Sequence, residues 1–366
     1  MASSAEPPKI LLTGATGYIG GTVLNTLLSS PFPLTSPITC LLRGPSRAAT
    51  LTAAYGTRIQ PALHANLDDV ATTMALAAQH DIVINTALGY HPASAAALVR
   101  GLAQRRVSTG RDVWIVHTSG TSNLADQPFS VADGRGVVER EFDDASDDVY
   151  GYENQLEGAW SYAQRETELR VVELGEELGV KTVVVMSPTI FGVGTGLFNR
   201  VSIQIPAYVK AAVAYGRGVV VGDGKGVWDH VHVEDLAELY KMLVTEILER
   251  GGERVPTGRK GIIFSANGRH TWMEVAQGVA EALWEEGKIA DKRVESIRLA
   301  EGAKILAPHM GGDNEQLVEL GLSSNSRTVS NVARKLGWTP TKGEEWRRRG
   351  FREDVKAVVG ETIKRR

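Results

Sequence analysis

The stretch Ile10–Leu28, ILLTGATGYIGGTVLNTLL, decides the fold. Ile10 to Thr13 form a short apolar run, and Gly14, Gly17 and Gly20 recur at every third position. Tyr18 to Leu28 then carries helical spacing until Ser29 to Pro37 interrupts it. The succession is strand, turn, helix. The first glycine lets the chain turn tightly, the second leaves room for backbone to approach a pyrophosphate, and the third lets helix pack on strand. The helix start adds unpaired N–H groups that face phosphates. Gly14, Thr16, Gly17, Tyr18, Ile19 and Gly20 are therefore expected to cradle a dinucleotide.

The rhythm repeats downstream. Ile38 to Leu42, Asp81 to Thr86, Val113 to His117 and Lys181 to Met186 read as strands, with helices around Asp69 to Gln79, Ala93 to Gln104 and Ala159 to Leu178. Short apolar strands alternating with helices predict an α/β, doubly wound parallel sheet covered on both faces. Beyond Pro188 the rhythm is lost. Gly192 to Gly196 reads as a loop, Val219 to Gly226 as strand and turn, Asp229 to Leu248 as an amphipathic helix with its entry, and Thr271 to Glu285 as a further helix. The expected division is a dinucleotide-binding domain of residues 1–188 and 227–265, with a smaller, mostly helical substrate lobe of residues 189–226 and 266–366.

Composition narrows the function classes. With 366 residues, 43% apolar and 23% charged, the chain is long enough for two lobes and is of ordinary globular make-up. Forty Lys plus Arg against 43 Asp plus Glu leave a net charge of −3, so no global field attracts nucleic acid or an anionic membrane. Cys40 is the single cysteine, which forbids an internal disulfide and disfavours a thiolate metal site. With no leader pattern and no apolar stretch of about 18 residues, a cytoplasmic location is expected. His230 and His232 lie two apart without a third ligand, and no metal is expected. The run Glu139 to Glu157 holds eight acidic residues against Arg140 and reads as a solvated loop, or alternatively a mobile lid.

The second strand ends at Leu42 and runs into Arg43, with Arg47 four residues on. No carboxylate stands where one would grip a ribose 2′-hydroxyl. An arginine there suits a 2′-phosphate, so NADP is expected, with NAD the less favoured cofactor.

Together with later motifs, these residues resemble the extended short-chain dehydrogenase/reductase family, which includes nucleotide-sugar epimerases and dehydratases. The resemblance runs through Asn66, Leu67 and Asp68, through Asn85, Thr86 and Ala87, and through His117, Thr118 and Ser119. It continues in SPTIFGVG (Ser187 to Gly194), in GDGKGVWDHVHVEDLAEL (Gly222 to Leu239) and in KLGWTP (Lys335 to Pro340). It implies that Asn66 and Leu67 face the adenine, and that Thr86, Ala87, Thr118, Pro188 and Ile190 lie along the cofactor. Asn66 stands where the family has aspartate. Ser119 matches the family's catalytic Ser or Thr.

The chain departs from the family at its catalytic pair, a Tyr followed four residues later by Lys, whose ammonium lowers the phenol pKa. Tyr162 is followed at that position by Glu166, and Arg165, three residues on, is the expected source of the missing charge. Tyr162 is the expected acid, or alternatively a packing tyrosine. Ser187 and Thr189 replace the Arg and Asn usual in nucleotide-sugar enzymes, and Trp228 replaces an arginine before Asp229. That favours an apolar or aromatic substrate surface, with Phe191, Phe198 and Trp228 as its expected lining, unless these aromatics merely fill the space between lobes.

The resemblance thus implies an NADP-dependent oxidoreductase passing hydride between nicotinamide and a small carbonyl or alcohol, with Ser119, Tyr162 and Arg165 as catalytic residues. One alternative is an epimerase or dehydratase working through a transient ketone. Another is a non-catalytic NADP sensor. A small-molecule substrate, no nucleic acid, no membrane and a possible homodimer complete the expectation.

Overall fold

The structure is a computed structural model that describes residues 6–29, 32–34, 36–131, 136–312, 314–347 and 351–364. In its first half, β1 (Ile10–Thr13), β2 (Ile38–Leu42), β3 (Ile59–Leu63), β4 (Ile82–Asn85) and β5 (Trp114–Gly120) alternate with α1 (Tyr18–Ser29), α2 (Pro45–Tyr55), α3 (Val70–Ala77) and α4 (Pro92–Thr109). Next come β6 (Glu141–Asp143), α5 (Val149–Ala159), α6 (Ala163–Leu178), β7 (Lys181–Ser187), β8 (Thr189–Phe191), α7 (Gln204–Tyr215), β9 (Gly218–Val221), β10 (Val227–His232) and α8 (Val233–Arg250). The last part holds β11 (Ile262–Phe264), β12 (Arg269–Thr271), α9 (Trp272–Glu285), β13 (Val294–Ile297), α10 (Leu299–Leu306), α11 (Glu315–Leu322), β14 (Arg327–Val329), α12 (Asn331–Leu336) and α13 (Phe351–Lys364).

Seven strands form one parallel sheet in the order β11-β7-β5-β4-β1-β2-β3. Alternation along each strand explains its unbroken apolar sequence. Leu12, Ile84 and Val116 enter a core with α1 and α8, whereas Leu11, Val83 and Ile115 enter the opposite one with α4 and α6. Both faces are dry, and each such side chain contributes roughly 1.5–3 kcal/mol of burial. Pro61 lies in β3, an edge strand, where a missing N–H costs least.

A second core joins α7, α9, α10 and α11 around Tyr208, Trp228, Trp272 and Leu306. It draws in Tyr162 and Phe191, whereas Ala333 and Trp338, from near the C-terminus, pack into the sheet's core. Two small parallel pairs, β9 with β13 and β6 with β14, tie distant segments together.

Two expectations are corrected here. The stretch Ala159 to Leu178 is not one helix: α5 ends at Ala159, Trp160 turns to extended geometry, and α6 begins at Ala163. The acidic run is not a solvated loop, because it supplies β6 and α5, and Glu153 within it is fully buried. His230 and His232 lie on β10. His230 stacks on Trp346 at 4.0 Å between ring centres, and burial lowers its pKa to about 3. Among the described residues no group of three or more His, Cys, Asp or Glu is placed to hold a metal. No helix among them is long and apolar enough to cross a membrane.

Candidate functional site

The strand register brings polar side chains into line at the sheet's C-terminal edge. Thr13 lies opposite Asn85, and Asn85 opposite His117. Thr13 donates to Asn85 Oδ1 at 2.6 Å, Asn85 Nδ2 meets His117 Nδ1 at 2.9 Å, and Thr86 donates to the Thr13 carbonyl at 2.7 Å. This is the point where strand order reverses, between β1 and β4, and where ligands of such sheets bind.

The glycine turn sits directly above. Gly14 holds φ +76°, and a side chain there would collide with the Thr86 backbone; one on Gly20 would collide with Thr86 Oγ1 and the Gly14 carbonyl. Those two glycines serve close packing. Gly17 differs, since a methyl group on it would meet only the Gly14 carbonyl, at 3.1 Å, and would otherwise occupy open space. That open cradle at a helix start fits a pyrophosphate.

A cavity of about 610 Å³ extends from the turn and is lined by Gly14, Thr16, Gly17, Arg43, Arg47, His64, Leu67 and Phe198. Arg47 donates to Thr16 Oγ1 at 3.3 Å and lies 5.8 Å from the Phe198 ring centre. Phe198, expected beside the substrate, therefore belongs to the arginine side. Burial and then Arg43 lower the His64 pKa. Asn66 does not reach the lining, because its Oδ1 accepts the Asp68 N–H at 2.8 Å in an exposed turn.

Thr86, Ala87, Leu88 and Asn199 separate this cavity from a second one of about 350 Å³ and line both. Tyr18, Ile19, Thr118, Pro188 and Ile190 form one wall of the second cavity, and Val201, Ile203, Trp228, Met310 and Leu317 form the other. Tyr18 donates to the Gly192 carbonyl at 2.6 Å, and Thr118 Oγ1 lies 2.5 Å from the Tyr240 hydroxyl, so the first wall is braced at two points. No Asp, Glu, Lys, Arg or His lines this cavity among the described residues. Trp228 lies in the wall as expected, its Nε1 donating to Ser324 Oγ at 3.0 Å. Phe191 does not: it is fully buried among His230, His232 and Trp346, because the alternation of β8 turns it into the second core.

Tyr162 also lines the second cavity. Tyr162 is the residue before α6, with φ −142° and ψ 114°, and its N–H donates to the Glu157 carboxylate at 3.1 Å. Its hydroxyl donates to Ser122 Oγ at 3.1 Å and lies 3.0 Å from that of Tyr90. Ser122 in turn donates to Gln164 Oε1 at 2.6 Å. Burial holds the Tyr162 phenol well above its ordinary value of 10.

Three expectations about this centre change. Ser119 lines the cavity, but its Oγ accepts from Asn123 Nδ2 at 3.1 Å, and Asn123 also donates to Glu168 at 2.7 Å. The hydroxyl that meets Tyr162 is that of Ser122. Arg165 is fully buried behind the cavity, bound to Glu157 Oε2 at 3.0 Å and to the carbonyls of Asn123 and Trp160. Its guanidinium lies 3.9 Å from the Trp160 ring centre. Helical spacing from Tyr162 fails because Tyr162 precedes the helix. Glu166 is exposed, and Gln164 is the α6 side chain that faces the cavity. Tyr90, Ser122, Gln164 and His64 were not singled out from sequence. The run TSGTS offers several hydroxyls, and only the packing of the following turn selects among them.

Comparison with known proteins shows the family of the chain. A relative described as "Oxidase ucsJ", from Acremonium sp, is 32% identical over 352 residues, covering 91% of this chain and 92% of that protein. Among solved structures, the Streptomyces venezuelae dTDP-glucose 4,6-dehydratase DesIV with NAD and TYD bound superposes with a TM-score of 0.61 at 16% identity, covering 96% and 97% of the two chains. Vestitone reductase from alfalfa, Medicago sativa, gives 0.58 at 16% identity, covering 97% and 99%. The NAD dependent epimerase/dehydratase family profile matches residues 10–255, which span the glycine turn, Ser122, Tyr162 and β10. The chain belongs to that family of nicotinamide-dependent enzymes.

Proposed function

We propose that this chain is an NADP-dependent oxidoreductase acting on a small, uncharged, largely apolar carbonyl or alcohol. The observation that carries this reading is the second cavity: Tyr162 lines it, with its hydroxyl bonded to Ser122 of the same lining, and no charged side chain lines it among the described residues. A nucleotide-sugar substrate brings a diphosphate, which needs cationic or charge-assisted donors. The described walls offer Ile203, Val201, Trp228, Met310 and Leu317 instead. The relative described as an oxidase supports net redox chemistry over epimerisation.

The Gly14 to Gly17 turn and Thr16 would hold the pyrophosphate, Leu67 would face the adenine, and Pro188 and Ile190 would lie along the nicotinamide. Arg43 and Arg47 supply the preference for a 2′-phosphate. Bound there, the nicotinamide supplies or accepts a hydride at the substrate carbon. Tyr162 gives its phenolic proton to the carbonyl oxygen during reduction and takes it back during oxidation. Gln164 fixes the Ser122 hydroxyl, which keeps the Tyr162 hydroxyl aimed. The apolar walls exclude water from the reacting carbon.

Screening NADPH consumption against neutral aryl and alkyl ketones, with dTDP- and UDP-sugars as the contrasting set, tests this reading. Turnover is expected on neutral ketones alone. Conversion of the nucleotide sugars with no ketone reduced would overturn it in favour of an epimerase or dehydratase.

A further inference from the structure

The lysine that normally supports the tyrosine in this family has no counterpart beside Tyr162. Arg165 lies 5.9 Å from the Tyr162 ring centre, with its donors committed to Glu157, Asn123 and Trp160. Glu157 takes the Tyr162 backbone N–H rather than the phenol. From α6, Gln164 approaches only through Ser122, and Glu166 faces solvent. Besides Ser122, the phenol is reached by the loop between β4 and α4, which carries Tyr90.

Resting on the reading above, we propose that Tyr90 is a positioning residue for the reaction, its hydroxyl donating to the Tyr162 oxygen as that phenol gives up its proton. The hydrogen count favours this. The Ser122 hydrogen is spent on Gln164, so Ser122 accepts from Tyr162 and has no hydrogen left for it. The Tyr90 hydroxyl, 3.0 Å away, is the donor at hand. The rings meet edge to face at 5.8 Å, and Tyr90 lines the cavity. In reduction, hydride forms the new C–H bond as the carbonyl π bond breaks. The oxygen takes the Tyr162 proton, and the resulting phenolate accepts the Tyr90 hydrogen bond until solvent returns a proton. A second neutral phenol thus does part of the work of an ammonium, without bringing a charge into an apolar cavity.

The test compares wild type, Tyr90→Phe, Tyr162→Phe and the double variant, with NADPH and a reducible neutral ketone. Phenylalanine keeps the ring and removes only the hydroxyl. Tyr90→Phe is expected to lower kcat by roughly 10- to 100-fold with KM within about threefold, and the double variant to fall no lower than Tyr162→Phe alone. In alcohol oxidation, the rate against pH should run parallel to wild type but displaced by about one pH unit upward. Losses that multiply in the double variant, or a superimposable pH profile, would overturn the proposal. An arm independent of turnover uses tyrosine labelled with ¹³C at Cζ in the apoprotein. The Tyr162 resonance, assigned by its loss in Tyr162→Phe, should move in Tyr90→Phe; an unmoved resonance refutes the hydrogen bond. A wild type that reduces no ketone refutes the oxidoreductase reading, and the resonance still decides the hydrogen bond.

Discussion

The half of the cleft above β2 presents Arg43, Arg47 and His64, whereas the half beyond Thr86 presents hydroxyls, amides and apolar side chains with no charge among the described residues. The two cavities adjoin, sharing Thr86, Ala87, Leu88 and Asn199, yet they follow opposite electrostatic rules. In the first, exposed guanidinium groups would, on the proposed reading, meet the cofactor's 2′-phosphate in partly screened surroundings. In the second, burial raises the phenol's pKa, and on the proposed reading the uncharged lining disfavours ionic substrates. Charged side chains among the described residues line one end alone, and the proposed proton transfer at the other end depends on neutral donors.

The largest way to break this comparison is Tyr162→Phe, which should cut turnover by about 10³-fold while NADPH affinity stays within about twofold. Steady-state kinetics with calorimetry reads both, and unchanged turnover removes Tyr162 from the reaction. Next, Arg43→Ala combined with Arg47→Ala should weaken NADPH binding by about 10- to 100-fold and NADH binding by less than about threefold. Equal losses for the two cofactors would mean that the arginines do not read the 2′-phosphate.

A smaller effect concerns pH. Tyr162 must be protonated to reduce a carbonyl, and burial holds its pKa well above 10. Single-turnover reduction should therefore change by less than about twofold from about pH 6 to pH 9. A basic limb near pH 8 would contradict the uncharged wall.

The smallest effect lies behind that wall, where Glu153 and Glu168 are both fully buried and burial raises the pKa of Glu168 from 4.5 to about 7. The folded chain then holds protons that the unfolded chain releases, so stability should fall as pH rises from about 4.5 to 7. Glu168→Gln should flatten that fall by an amount on the order of 1 kcal/mol, read from urea unfolding at the two ends of the window. An identical pH slope in the variant would show that Glu168 ionises freely.

What was legible in the sequence followed from local rules. Three glycines between an apolar run and a helix identify the turn because strand, close approach and helix start are encoded within eleven residues, Ile10 to Gly20. Arg43 and Arg47 follow from the strand that precedes them. The catalytic end was harder because long-range packing decides it. Arg165 turns inward to Glu157 and Trp160, and the chain breaks between α5 and α6, so the periodicity expected from Tyr162 does not apply. Ser119 and Ser122 are equivalent as letters, and only the turn after β5 places Ser122 against Tyr162. Phe191 and Phe198 were expected to share one surface, but β8 carries the first into the second core while the second meets Arg47.

The most direct test of the account is the transfer of deuterium from [4-²H]NADPH to a neutral aryl ketone, followed by mass spectrometry of the product. The account predicts one deuterium on the carbinol carbon with the wild-type enzyme and about 10³-fold slower labelling with Tyr162→Phe. Neutral ketones left unlabelled, while a nucleotide sugar is converted without net use of the cofactor, would contradict it.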